Sequence, residues 1–491
     1  MFAFHPVVSS APFVASLVYV VLPLIACATP PQMESSGLGN QRSPNVLLVI
    51  TDDLGVGEVG CYGQTRIRTP HIDALAADGL RFTQGYSGSC VCAPSRCTLL
   101  TGYHTGHSAI RDNKELRPTG QEPLPEQSIT IATVLKQRGY ATAAIGKWGL
   151  GPPGSVGDPG KHGFDLFFGY LCQRHAHNHC PSHLFRNGEV VALPGNKDKW
   201  DDGVIVGGAY APDLFREEAL SFIRANREQP FLLLFATPVP HAALQAPEES
   251  LAKYRGKFAE TPYDGGKGYL KHPEPRAAYA AMVSRMDADV GVLLAELRYL
   301  GLERDTIVIF TSDNGPTFNG GTDSAYFEST GGLRGLKCDL YEGGIRVPLV
   351  VRWPGVTPRG AVSDAVTANW DWFPTLAAAC GVDPSRLPKD LDGVDITPQL
   401  RGGRAQPRRP HLYWEYHAGG GWQAVRLGDW KGVRRQAKKQ PYGEIELYDL
   451  AHDPLEQRNV AGEYPKICAE IRSVMAMRTR SPVPEWNFAA E

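Results

Sequence analysis

The chain has 491 residues, 42% of them apolar and 21% charged, so it is long enough to bury one large core and a smaller unit beside it. Its 50 Lys and Arg nearly balance its 52 Asp and Glu, and the formal net charge of -2 gives no indication of a nucleic-acid groove. The sequence has no heptad run and no short repeat, which argues against coiled coils and solenoids.

The N-terminus has the pattern of a targeting segment. Residues 13–26 are almost continuously apolar, and the residues after them turn small and polar. This order predicts a signal segment over 1–27 and a linker over 28–44. Leu24-Ile25-Ala26-Cys27 also resembles a bacterial lipobox, in which the cysteine becomes the lipidated first residue of the mature protein.

We therefore expect export, either to the bacterial periplasm or as an outer-membrane lipoprotein anchored through Cys27. One feature departs from the usual signal pattern, because no Lys or Arg precedes Arg42. An uncleaved anchor helix is the alternative, and the break at Pro23 and the lack of flanking charge argue against it.

The chain carries ten cysteines, which is compatible with export. Cys172 and Cys180 bracket a short polar loop and could close a disulfide, a pairing that the spacing alone leaves open.

Strand-like and helix-like stretches alternate over roughly the first two-thirds of the chain. This predicts an α/β fold with a large, mostly parallel sheet flanked by helices. Four apolar runs of strand length are each followed by polar residues, at 45–50, 141–145, 231–235 and 306–310. Because ligands bind beyond the carboxyl ends of the strands in such sheets, we expect these polar residues to meet at one edge.

Acidic residues follow two of these runs. Asp52 and Asp53 come after the first, and Asp313 and Asn314 come after the last. Taken singly, such pairs are typical of turns and helix caps. Three carboxylates in one crevice repel one another, however, and a divalent cation would compensate them. Carboxylate and amide oxygens are ligands for Ca²⁺ or Mg²⁺, so the sequence predicts a site for one of these ions.

The most informative motif is Cys92-Ala93-Pro94-Ser95-Arg96, followed by Leu99-Leu100-Thr101-Gly102. By itself it would also suit an ordinary helix start with a buried cysteine. The C-x-P-S-R pattern resembles the signature of the type I sulfatases, members of the alkaline phosphatase superfamily whose cysteine is oxidised to formylglycine by a formylglycine-generating enzyme. Gly146-Lys147-Trp148 and the stretch Glu342-Gly343-Gly344-Ile345-Arg346-Val347-Pro348 are similar to two further family segments.

The resemblance implies an arylsulfatase-like hydrolase of sulfate monoesters, with an alkaline-phosphatase-like catalytic domain over 45–390 and a smaller C-terminal antiparallel α+β subdomain over 391–491. Short alternating strands at 411–416, 422–426, 431–433 and 446–450 and a closing helix over 465–477 agree with that subdomain. The site residues that it implies are Asp52, Asp53, Asp313, Asn314 and the modified Cys92 around Ca²⁺, Arg96 beside the hydrated aldehyde, Lys147 and Lys337 on the sulfate, and His241 as the proton donor.

In the mechanism implied by the resemblance, one hydroxyl of the aldehyde hydrate attacks sulfur. The leaving alcohol is protonated by His241, charged at neutral pH, with help from Lys337. The second hydroxyl then loses its proton and the adduct collapses, which expels sulfate by C–O cleavage. A serine in place of Cys92 would stop at a stable sulfated ester, because it has no second hydroxyl on the same carbon.

One position departs from the family pattern. Many members read G-K-W-H-L-G, with the histidine bonded to the formylglycine, and here Gly149 takes the place of that histidine. The usual proton relay is therefore not expected. The His-rich stretch His175-Ala176-His177-Asn178-His179 could supply another imidazole, and His177 is the candidate substrate contact.

Three functions remain open on this evidence. Expected export favours a sulfatase acting on sulfated carbohydrates, with aryl sulfates as the simpler substrates. The same superfamily and the same aldehyde also serve phosphomonoester and phosphonate hydrolases. The third is a glycan-binding lipoprotein with a degenerate site, for which Gly149 is the best support. Relative turnover of an aryl sulfate and an aryl phosphate separates the two enzyme hypotheses.

Overall fold

The structure, a computed structural model, describes residues 1, 3, 43–116, 120–196, 208–266, 269–440 and 442–488. The predicted signal segment and lipobox, and nearly all of the predicted linker, lie outside these ranges. Within these ranges, no helix has the length and apolar character needed to cross a membrane.

The strands form one large sheet and three smaller ones. In chain order they are β1 (Asn45–Asp52), β2 (Leu80–Phe82), β3 (Gly85–Tyr86), β4 (Glu115–Leu116), β5 (Gly120–Gln121), β6 (Ala141–Lys147), β7 (Leu166–Tyr170), β8 (His183–Arg186), β9 (Glu189–Ala192), β10 (Phe231–Pro240), β11 (Thr306–Ser312), β12 (Leu349–Arg352), β13 (Ala361–Ser363), β14 (Thr367–Ala368), β15 (Leu412–Tyr416), β16 (Trp422–Leu427), β17 (Trp430–Arg435) and β18 (Glu446–Asp449).

The α-helices lie between these strands. They are α1 (Pro70–Ala77), α2 (Cys92–Thr101), α3 (Ile131–Lys136), α4 (Ala211–Ala225), α5 (Glu248–Leu251), α6 (Pro275–Tyr299), α7 (Glu342–Ile345), α8 (Trp372–Ala379), α9 (Thr397–Leu400) and α10 (Pro465–Met475).

The large sheet has ten strands in the order β13-β2-β12-β11-β1-β10-β6-β7-β8-β9. Its centre, β11-β1-β10-β6-β7, is parallel throughout, and antiparallel strands flank it on both sides. The four predicted strands are four neighbours in this centre, which confirms the predicted sheet. Because they are parallel, their carboxyl ends share one edge.

Both faces of the sheet are covered by helices. Leu47 and Val49 of β1 point into a core shared with α4 and α6, while Val46, Leu48 and Ile50 point into a second core shared with α2, α3 and α8. A strand buried on both faces needs apolar side chains at every position, which is why β1 reads as a continuous apolar run.

The C-terminal part forms the predicted antiparallel sheet, in the order β15-β16-β17-β18, and α10 closes it. Its two faces belong to different cores. Trp414 packs with Tyr86 on one side, and Val425 packs with Ile471 of α10 on the other. The boundary between residues 390 and 391 stays a prediction.

All nine cysteines in the described part of the chain are free thiols. Cys172 donates a hydrogen bond to the Gly120 carbonyl at 3.6 Å instead of pairing with Cys180. The disulfide that the spacing left open is therefore not formed.

Candidate active site

The parallel strands bring their polar residues to one edge, as the sequence predicted. Asp52 ends β1, Lys147 ends β6, His241 follows β10 and Asp313 follows β11. The side chains brought together are all buried, with exposed fractions of 0% for Asp52, Asp53, Asp313 and Asn314, 2% for Cys92, Lys147 and His241, 4% for Arg96 and 7% for Lys337. Charges buried this deeply must be paired, and they are.

Cys92 is the first residue of α2 and projects into this cluster. Its thiol donates to Asp52 Oδ1 at 3.4 Å, and Lys337 Nζ lies 3.6 Å from its sulfur. Burial, and then the charge of Asp52, raise the pKa of the Cys92 thiol. An unmodified thiol in this place is a poor nucleophile, because the thiolate is the reactive form.

Arg96 lies one helical turn after Cys92 and links two strand ends. Its Nε and Nη2 donate to Asp313 Oδ2 at 3.1 and 2.8 Å, and its Nη1 donates to the Lys147 carbonyl at 2.7 Å. The planar guanidinium suits this forked arrangement, whereas an ammonium would not.

The acids of the site are balanced by bases. Lys147 contacts Asp52 at 2.5 Å, Lys337 contacts Asp53 at 2.8 Å, and Arg96 contacts Asp313 at 2.8 Å. Three carboxylates thus meet three cationic side chains. Compensation of these acids by a divalent ion, which the sequence predicted, stays a prediction.

Two of the acids differ in proton affinity. Burial would raise the pKa of Asp52, but Lys147, His241 and Arg96 together hold it well below its usual range. Burial and the neighbouring Asp52 raise the pKa of Asp313 to about 7, even though Arg96 acts against them. The pKa values of these two carboxyl groups are therefore shifted in opposite directions.

The residues nevertheless fit a hard cation. One ligand atom from each of Asp52, Asp53, Cys92 and His241 lies within 4.8 Å of the others. Asn314 donates from Nδ2 to Asp53 at 2.7 Å, and its buried Oδ1 has no partner in the described part of the chain. An unpartnered carbonyl oxygen beside carboxylates is the donor set that Ca²⁺ and Mg²⁺ prefer.

His241 faces the same carboxylate oxygen of Asp53 as Lys337 does. Its Nδ1 donates to the Ala242 carbonyl, which leaves Nε2 facing Asp53 Oδ2 at 3.5 Å. Burial, and then the charge of Lys337, hold the pKa of His241 well below its usual range. This differs from the sequence-based expectation of a charged imidazole. Lys337 is the group that carries a proton here, since its attraction to Asp53 outweighs burial and raises its pKa.

Of the His-rich stretch, His177 comes closest to these groups. Its ring stacks on that of His241 with centroids 4.5 Å apart, and on that of Tyr269 with centroids 5.4 Å apart. His179 is buried and bonds the His241 carbonyl, while His175 packs on Tyr170. Tyr269 was missed in the sequence, because it lies in an irregular segment without a motif.

The backbone conformation of Gly149 disfavours the histidine of the family pattern, and the Gln173 side chain would have to move to admit one. The φ of Gly149 is +75°, and a Cβ placed on this residue would lie 1.8 Å from Gln173 Nε2. Gln173 was also missed in the sequence, although it follows the parallel strand β7 and so obeys the rule that found the other residues.

Comparison with known proteins agrees with this geometry. Residues 44–382 match the family model described as Sulfatase, and residues 337–480 match the model described as N-sulphoglucosamine sulphohydrolase, C-terminal. The crystal structure of Ps i-CgsB in complex with k-i-k-neocarrahexaose superposes with a TM-score of 0.74 at 26% identity, covering 90% of this chain and 94% of that one.

The alignments with two curated relatives extend over nearly the whole chain. Arylsulfatase A of Homo sapiens is 31% identical over 91% of this chain and 90% of its own length. N-acetylgalactosamine-6-O-sulfatase of Bacteroides thetaiotaomicron is 29% identical over 90% of this chain and 94% of its own length. Because the family match spans the central parallel strands, Cys92 and both lysines, this chain belongs to the sulfatase family and is a sulfuric ester hydrolase.

Proposed function

We propose that this chain hydrolyses sulfate monoesters on carbohydrates, with a formylglycine derived from Cys92 as the nucleophile and Ca²⁺ held by Asp52, Asp53, Asp313 and Asn314. The observation that carries the proposal is the position of Cys92. Its side chain is enclosed by Asp52 and Lys337 at the first residue of a helix, in a buried cluster of acids and bases at the sheet edge.

The relatives support a carbohydrate substrate. One is an N-acetylgalactosamine-6-O-sulfatase, and a solved neighbour above 25% identity was crystallised with k-i-k-neocarrahexaose. Arylsulfatase A is similar over as much of the chain, so a small aryl sulfate is a suitable assay substrate.

Two lysines and a histidine of the chain would stabilise charge on the sulfate group and supply a proton to the leaving oxygen. When bound, Ca²⁺ would supply two positive charges for the sulfate oxygens, and the aldehyde hydrate would supply a nucleophile that can release sulfate without a second attack at sulfur. Lys147, which contacts Asp52, and Lys337, which contacts Asp53, stabilise the negative charge that develops in the transition state. Lys337 holds the proton for the leaving oxygen, and His241 lies beside it to share or restore that proton.

The test begins with the state of Cys92. The chain is co-expressed with a formylglycine-generating enzyme, and the peptide containing Cys92 is examined by mass spectrometry for the loss that accompanies conversion of the thiol to the aldehyde. The matured protein should release sulfate from 4-nitrophenyl sulfate. Protein matured to the aldehyde that released no sulfate from any ester would contradict the proposal.

Two variants and one substrate serve as controls. Cys92→Ala should lose turnover completely, and Cys92→Ser should retain the sulfate on the protein after a single turnover. A higher kcat/KM for 4-nitrophenyl phosphate than for the sulfate would favour the phosphomonoester or phosphonate hydrolase instead. Sulfated-glycan binding that Cys92→Ala left unchanged, without release of sulfate by the parent, would favour the glycan-binding protein.

Export remains part of the proposal, on the apolar stretch at 13–26 and the lipobox-like Cys27. Fractionation of a bacterial host that expresses the full chain should place it in the periplasm or the outer membrane. Cys27→Ser should release it from the membrane fraction if the anchor is lipid. A cytoplasmic protein with its N-terminal residues intact would refute export.

A further inference from the structure

Gln173 is a buried amide that has no hydrogen-bond partner. Its residue is 5% exposed, and neither Nε2 nor Oε1 has a partner in the described part of the chain. A carboxamide offers two donors and two acceptor sites, so leaving all of them unused in a protein interior is unfavourable. An amide in this state needs water or a ligand.

The backbone fixes Gln173 at the catalytic edge. The N–H groups of Trp148 and Gly149 donate to the carbonyls of Tyr170 and Leu171, which extends the β6–β7 pairing past Lys147 as far as the residues just before Gln173. The turn that contains Gln173 then leads to His177, whose ring stacks on His241. Gln173 therefore lies between the strand end that carries Lys147 and the loop that contacts His241.

Gly149 and Gln173 fit one another. The Gln173 amide occupies the volume that any side chain at position 149 would need, since a Cβ there would meet Nε2 at 1.8 Å and Cδ at 2.8 Å. Gly149 also has a φ of +75°, which L-residues rarely adopt. The glycine makes room for the amide two residues beyond Lys147.

We propose that Gln173 is a substrate-binding residue whose carboxamide donates a hydrogen bond to the sulfate ester. The inference rests on the proposed function and extends it. Sulfate oxygens only accept hydrogen bonds, and an amide NH₂ supplies donors without adding a charge that could titrate. An ionised or apolar side chain of the same shape would not serve.

The first experiment compares two substitutions of similar shape in the matured enzyme. Gln173→Leu removes the donor, and Gln173→Glu replaces it with a carboxylate that repels the sulfate anion. We expect kcat/KM for 4-nitrophenyl sulfate to fall about 10- to 100-fold in Gln173→Leu, the effect of one hydrogen bond to a charged group. The loss should be larger in Gln173→Glu and should grow with pH as the carboxyl ionises.

Stability separates a binding role from a structural one. Gln173→Leu removes an unpartnered amide, so its melting temperature should equal or exceed that of the parent while its activity falls. Gln399→Leu is the matched control, because Gln399 is also 5% exposed with an unpartnered Oε1 but bonds Ala405 in a different part of the fold. This control should keep its kcat/KM.

A second test uses the fit between the two positions. Gly149→Ala should displace the amide and cost as much activity as Gln173→Ala, and the double variant should lose little more than either single one. Losses in kcat/KM that multiply in the double variant would show that the two positions act independently and would overturn the inference.

A binding measurement tests the role of Gln173 even if the matured enzyme releases no sulfate. In Cys92→Ala protein, calorimetric titration with 4-nitrophenyl sulfate should show binding that Gln173→Leu weakens by about 10-fold or more. Equal binding with and without Gln173 would overturn the inference, whether or not the matured enzyme releases sulfate. Active enzyme whose kcat/KM is unchanged by Gln173→Leu would overturn it too, and would leave the proposed function intact.

Discussion

Replacing Arg96 by Lys keeps the charge and removes the forked hydrogen bonding, so it tests whether geometry or charge matters at this position. Arg96 makes three hydrogen bonds, two to Asp313 Oδ2 and one to the Lys147 carbonyl. A lysine at the same position can replace one of them. The variant should therefore lose two hydrogen bonds that involve a charged donor.

Each such bond contributes about 1.5–3 kcal/mol, so the free energy of unfolding should fall by about 3 kcal/mol at the lower end of that range. For a chain of this size the entropy of unfolding is about 1 kcal/mol/K, so the apparent melting temperature should drop by about 3 °C. Because Arg96 orients Asp313 and the strand end at Lys147, kcat/KM should fall by about 100-fold as well.

Arg111→Lys is the matched control. Arg111 has a 2% exposed side chain and bonds Ser108, Glu415 and Thr479, none of which belongs to the site. Its loss of stability should be similar, but its activity per folded molecule should equal that of the parent when assayed well below both melting temperatures. Equal activity losses in the two variants, or full activity in Arg96→Lys, would refute the assignment of Arg96 to the site.

Three further predictions concern pH, cation binding and the aromatic stack. Burial would raise the pKa of Glu415, but bonds with His417 and Arg478 and the charge of Arg111 hold it well below its usual range. Glu415→Gln should therefore lower the free energy of unfolding by about 3–5 kcal/mol at pH 7. In denaturant titrations the difference between parent and variant should shrink as the pH falls below about 4, because Glu415 of the parent then takes up a proton. A difference that stayed constant down to about pH 2 would contradict this prediction. Added CaCl₂ should raise the melting temperature of the parent. Asn314→Ala should need about 10-fold more Ca²⁺ for the same shift, because it loses the unpartnered Oδ1 of Asn314. Identical Ca²⁺ dependence in the two proteins would exclude Asn314 as a ligand. Tyr269→Ala removes the ring stacked on His177 and should raise KM for a sulfated monosaccharide roughly fivefold with a smaller change in kcat; an unchanged KM would place the ring outside the substrate site.

The sequence predicted most of the edge because one rule governs it. Parallel strands that are buried on both faces read as apolar runs, and the polar residues that follow each run must lie at the shared carboxyl edge. Asp52, Lys147 and Asp313 follow from that rule, and Cys92 and Lys337 follow from motif similarity. The C-terminal strands were found by alternation of apolar and polar residues.

Other features depend on contacts between distant segments, which no local pattern encodes. Tyr269 and His177 are far apart in sequence and meet only as stacked rings. The pairing of each acid with its own base was equally invisible, because the two partners of each pair come from separate parts of the chain. Gln173 carries no sequence signal of its own, since its contact with Gly149 exists only in the fold.

Cys92 and Lys337 reach the site from segments outside the parallel strands, and both segments contact the C-terminal part of the chain that contains the sheet β15-β16-β17-β18. Trp414 of β15 donates from Nε1 to the Ser87 carbonyl at 2.9 Å, in the segment that leads to Cys92. Arg334, three residues before Lys337, donates to Tyr448 and to the Glu456 carbonyl at 2.8 Å each. Buried Lys431 of β17 contacts both Glu342 of α7 and Glu456 at 2.9 Å. The C-terminal strands therefore hold the segments of Cys92 and Lys337 beside acids that belong to the large sheet, and we expect the site to be complete only when both sheets are folded.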